Sequence, residues 1–152
     1  MGYLAEEIAG VASELGISIV TVDQQLTLQI KEKLAKKFST DKERSQILSW
    51  QNLEGRESYH DSNSWQLIKN YVGNQEVLLF VNPELEQIMW QFQNGEDLDI
   101  LLGETTGFPF CVTSEKVDYM ICFEDHDVLI GVGKAKKWVA THRVQRSRRK
   151  QR

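Results

Sequence analysis

Two His-Asp dipeptides, His60-Asp61 and His126-Asp127, bring together the side chains with the widest chemistry in this chain. Imidazole and carboxylate are metal ligands and also an acid-base couple, so two such pairs in contact would hold a divalent cation for metal-dependent hydrolysis. The sequence has no His-x-x-x-His that would set two imidazoles on one helix face. The same aspartates also have structural uses: Asp61 can cap a helix, and Asp125 and Asp127 can satisfy turn amides. Gly131-Val132-Gly133-Lys134 has the glycines and lysine of a phosphate-cradling loop. Ala135, however, stands where a Walker loop needs a hydroxyl, and the third glycine of a dinucleotide fingerprint is missing. Those glycines are therefore assigned to a turn packed tightly on a sheet. Cys111 and Cys122 lack a Cys-x-x-Cys spacing, and no Gly-x-Ser-x-Gly elbow occurs. No catalytic residue and no cofactor is assigned.

Charge suggests a second kind of chemistry. Glu96, Asp97 and Asp99 open a helix, where they complement its dipole, and with Glu124 and Asp125 they form a candidate acidic binding surface. The last twelve residues carry Arg143, Arg146, Arg148, Arg149, Lys150 and Arg152 and no acid. Six of the 18 Lys and Arg lie there, so the rest of the chain, with 12 basic against 22 acidic side chains, stands at −10. An acidic body favours cationic partners, while the tail by itself attracts nucleic-acid phosphate without aromatic residues to stack on bases.

These residues need elements to position them. A chain of 152 residues, 41% apolar and 26% charged, suits one domain with one core. The apolar run Val77–Val81 is far below the roughly 20 residues of a membrane span, and the start has neither a basic n-region nor a long apolar stretch. Glu6 occupies the position where myristoylation wants a hydroxyl. The expected setting is the cytoplasm, with both thiols reduced.

Leu4, Ile8, Val11 and Leu15 stripe a helix over 3–15 that Gly16 stops, and 17–22 reads as a short strand. Asp23 caps a helix over 24–38 with Leu26, Ile30, Leu34 and Phe38 on one face. Thr40 or Asp41 opens a short helix that turns Ile47, Leu48 and Trp50 inward, and 51–63 reads as a long polar loop. A helix with Trp65, Ile68, Tyr71 and Val72 ends at Gly73. The period then changes to that of a sheet. Residues 77–81 form a strand covered on both faces, hairpinned to the alternating 88–93. A crossing helix around Leu98, Leu101 and Leu102 follows, then a hairpin of Phe108, Phe110, Val112 with Tyr119, Ile121, Phe123. In that hairpin Cys111 faces either Cys122 or Met120, according to register. A last helix, starting within 128–134, buries Ala135, Trp138, Val139 and Ala140. The expected fold is α+β, with N-terminal helices on a mostly antiparallel sheet of about four strands, in strand-strand-helix-strand-strand-helix order after residue 76. The domain spans 1–141, and 142–152 is a flexible basic tail.

Residues 77–140, with the helix start Asn-Gly-Glu-Asp-Leu and the run Cys-Phe-Glu-Asp-His-Asp-Val-Leu-Ile-Gly-Val-Gly-Lys-Ala-Lys-Lys-Trp, are similar to small bacterial domains of unknown function. They also resemble immunity-type proteins of polymorphic toxin systems. The resemblance implies a non-enzymatic inhibitor that fills a partner's cationic groove with acidic side chains and a few aromatics. The alternatives are a hydrolase built on the two His-Asp pairs and a nucleic-acid accessory protein working through the tail. A homodimer formed along an exposed hairpin edge also fits.

Overall fold

Val77–Phe80 is buried at every position, because the strand it forms has a helical layer on each face. The computed structural model describes residues 3–39, 53–105 and 107–150, with the backbone alone for 146–150. In chain order the elements are α1 Tyr3–Leu15, β1 Ile19–Thr21, α2 Gln24–Phe38, β2 Glu57–His60 and a 3-10 turn Ser64–Leu67. Then come α3 Ile68–Val72, β3 Val77–Phe80, β4 Trp90–Phe92, α4 Gly95–Glu104, β5 Phe110–Thr113, β6 Tyr119–Glu124, β7 Val128–Gly133 and α5 Lys136–Lys150. The strands form one open antiparallel sheet in the order β1-β4-β3-β5-β6-β7-β2. Among the described residues no helix is long and apolar enough to cross a membrane.

The α+β class stands, but the sheet has seven strands where about four were expected. β1, read as a short strand, joins the sheet beside β4. β2 lies in the stretch expected to be a polar loop. As an edge strand it shows no apolar period, since its hydrogen bonds to β7 hold it and Tyr59 alone packs against a core cluster. β7 occupies 128–133, where the last helix was expected to start; buried on both faces, it carries apolar residues at both parities. The β3–β4 hairpin has β1 on its outer side, so the edges of the sheet are β1 and β2. α5 keeps helical backbone through Lys150, across the stretch expected to be a flexible tail. The helix expected to hold Ile47, Leu48 and Trp50 lies outside the described residues.

α1, α3, α4 and α5 cover one face of the sheet, where Leu79, Trp90, Phe92, Phe110 and Ile121 meet Ile8, Leu98, Leu101 and Val139. α2 covers the other, placing Ile30, Leu34 and Phe38 over Leu78, Phe80, Met120 and Ile130. Asp23 caps α2 as expected, accepting from the amides of Gln25 and Leu26 at 3.1 and 3.3 Å. Of the two registers open to the aromatic hairpin, the structure has the one that sets Cys111 opposite Cys122, with Phe110 and Phe123 on the α5 face.

The glycines before α5 are there for packing. A Cβ at Gly131 would lie 2.6 Å from Val139 Cγ2 and 3.0 Å from the Ala135 carbonyl oxygen, so the helix can approach β7 only because that carbon is missing. Gly133 turns the chain with φ +64°, and Lys134 then bonds Asp118 through its amide at 3.0 Å and its ammonium at 3.1 Å. These contacts occupy the groups that would have cradled a phosphate.

Candidate functional site

The antiparallel register assigns each loop to one end of the sheet. Trp90 pairs with Thr21 and Leu79, Phe80 with Cys111, Phe110 with Phe123, and Val128 with both Glu124 and His60. The loops after β1, β2, β3 and β6 therefore leave from the same end. Together these loops and the strand end Glu124 carry Asp23, Asp61, Glu84, Glu86, Glu124, Asp125 and Asp127. Asp23, Glu84, Asp125 and Asp127 are exposed, and Asp61, Glu86 and Glu124 are half-buried. His126 Nδ1 lies 3.3 Å from Asp125 Oδ1 and 3.7 Å from Glu124 Oε1, and the half-buried Lys31 lies over the ring of Phe80, the residue that ends β3.

The two His-Asp pairs do meet, through backbone. Pairing of β2 with β7 puts His60 opposite Val128, and the Asp61 amide donates to the Asp127 carbonyl at 2.9 Å. Their side chains serve separate purposes. Asp61 accepts from the Asn63 amide at 2.8 Å and the Tyr59 hydroxyl at 3.3 Å, while Asp127 adopts the left-handed turn conformation at φ 61°. His126 is turned outward to Glu124 and Asp125. Among the described residues no three His, Cys, Asp or Glu side chains come together in a way that could hold a metal.

The five carboxylates expected to form one acidic surface are divided between the two ends of the sheet. α4 starts beyond the far end of β4, where the Gly95 amide bonds the Gly73 carbonyl. That places Glu96 and Asp97 a strand's length, about 20 Å, from Glu124 and Asp125. Asp99 is engaged with Lys69 at 3.4 Å, and burial raises its carboxyl above the usual range despite that cation. In the basic segment Arg143 reaches Glu57 at 2.9 Å. Arg146, Arg148, Arg149 and Lys150 continue on the α5 backbone, and Arg152 lies outside the described residues.

A cleft of about 480 Å³ opens between the loop after β2 and α5. Tyr59, Asp61 and Asn63 form one wall, Gln66 comes from the 3-10 turn, and His142 and Gln145 form the α5 wall. Asp61 also organises the turn, since its carbonyl accepts from the Ser64 hydroxyl at 2.7 Å. His142 packs edge-on to Trp138 with ring centroids 4.8 Å apart and sits 5.9 Å from Tyr59. Behind it Trp138, Tyr71 and Tyr119 continue an aromatic series into the core. Its Nε2 is buried without a hydrogen-bond partner, and burial holds the imidazole below its ordinary pKa, so it is neutral at physiological pH.

Tyr59 and His142 were not among the expected site residues. For His142 the signal was there: Ala135, Trp138, Val139 and His142 follow the 3,1,3 spacing of one helical face, so the inner stripe of α5 runs past the expected domain end. Comparison with family models, curated proteins and solved structures finds no match.

Proposed function

We propose that this is a non-enzymatic binding protein of inhibitor type that presents the acidic end of its sheet to a cationic partner protein. The reading is carried by the way the loops after β1, β2, β3 and β6 and the end of β6 bring to one end seven carboxylates spread from 23 to 127 in the sequence. Such a field steers a basic partner and sets its orientation. The resemblance of 77–140 to immunity-type proteins points the same way, and Asp61 and Asp127, the carboxylates of the two His-Asp pairs, stand in turns.

The test is calorimetric titration with a basic candidate toxin, or with a poly-arginine peptide as surrogate, at low and high ionic strength. The variant Glu84→Gln/Glu86→Gln/Glu124→Gln/Asp125→Asn leaves the helix cap Asp23 and the turn residues Asp61 and Asp127 intact. Affinity is expected to fall with salt, and by about tenfold or more in the variant. Affinity indifferent to both salt and variant would sink the reading.

A further inference from the structure

The cleft between the loop after β2 and α5 opens at this same acidic end, and its walls are selective in kind. It offers the Asp61 carboxylate, the side-chain amides of Asn63, Gln66 and Gln145, and the rings of Tyr59 and His142. His142 is neutral, and Arg143, the next residue on α5, is drawn off to Glu57 at 2.9 Å. With a carboxylate and, among the described residues, no cation in its lining, the cleft disfavours phosphate and carboxylate ligands and attracts a positive one.

We propose that this cleft is a socket for one arginine side chain of the partner, its guanidinium seated between Asp61 and the aromatic wall of Tyr59 and His142. The inference rests on the partner-binding reading above and names the group that the partner inserts. Asp61 accepts two hydrogen bonds, and a carboxylate has about four lone-pair sites, so it can receive a guanidinium edge without giving up the bonds that hold its turn. The amide oxygens of Asn63, Gln66 and Gln145 supply further acceptors for a group that has about five N–H donors. A planar cation gains from ring contact in a way that a hydrated ammonium does not, which selects arginine over lysine. At about 480 Å³ the cleft is of ordinary ligand size and admits the guanidinium with its methylene stem. Buried arginines of this kind are common energetic centres of protein interfaces.

The experiment is a ¹H–¹⁵N NMR titration of the full chain with N-acetyl-arginine amide, with N-acetyl-lysine amide and with sodium chloride at matched ionic strength. Saturable shifts are expected at Tyr59, Asp61, His142 and Gln145 with the arginine amide and not with the other two. Gln145→Lys, at an exposed position of α5, places a competing charge at the mouth and is expected to weaken arginine binding by about tenfold or more. Absent shifts, equal shifts with lysine amide, or an unaffected Gln145→Lys variant would overturn the socket. Poly-arginine binding that is lost in the Glu84/Glu86/Glu124/Asp125 variant while the cleft stays silent would overturn the socket alone and leave the acidic-end reading standing. Loss of both would remove the two together.

Discussion

His142 shows how far one side chain's behaviour depends on what covers it. Desolvation disfavours its charged form, so the folded chain binds its proton more weakly than the unfolded chain, whose imidazole titrates near 6.5. With the folded pKa depressed, the stability associated with His142 is complete above 6.5 and is lost as pH falls through the lower, folded value. His142→Phe keeps a ring against Trp138 and removes the titration. Urea unfolding midpoints are expected to fall with acidification more steeply in the wild type than in His142→Phe over about pH 7 to 5. Parallel pH profiles would show that the burial has no such consequence. Cys111, which faces Cys122 across the β5–β6 hairpin, shows burial acting in the other direction. Their sulfurs lie 2.8 Å apart in the core, and the Cys111 thiol is pushed well up by desolvation and by its neighbour.

At the scale of elements, α5 approaches β7 closely at Gly131. Gly131→Ala inserts a methyl where Val139 Cγ2 and the Ala135 carbonyl already stand, and is expected to cost about 1–3 kcal/mol. Val139→Ala in the same chain relieves the side-chain clash but not the carbonyl contact, so the double variant should recover part of the loss relative to additivity. Thermal denaturation of the four chains of this cycle measures it, and strict additivity would show that the helix does not rest on the glycine. Because α5 also carries His142 and Gln145, the same displacement should distort the cleft.

The molecule as a whole is two helical layers on one sheet, and β3 contributes to both cores: Leu79 to the α4 side and Leu78 to the α2 side. The layers should therefore be lost together. Leu34→Ala in α2 and Leu101→Ala in α4, both fully buried, are each expected to cost about 2–5 kcal/mol. Tryptophan fluorescence and far-UV circular dichroism should trace one coincident urea transition in both variants. Separate transitions would show that the layers unfold independently.

Local physics was enough for much of this architecture. The spacing of Ile30, Leu34 and Phe38 with the Asp23 cap made α2 legible. The alternation of Phe108, Phe110 and Val112 against Tyr119, Ile121 and Phe123 made the hairpin legible, and the unbroken run at 77–81 announced a strand covered on both faces. Each of these depends on neighbours a few residues away, and the period of the backbone writes them into the chain. β2 could not be found this way, because an edge strand is held by the backbone of β7, and Glu57–His60 faces mostly water. Nor could the ends of the sheet be assigned before the strand order was known. Glu96 and Asp97 therefore look in the sequence like companions of Glu124, while Glu84 and Glu86, which share its end of the sheet, do not. The cleft lies furthest from local reach: it joins 59–66 to 142–145, and only the packing of α5 across β7 and β2 brings those segments together.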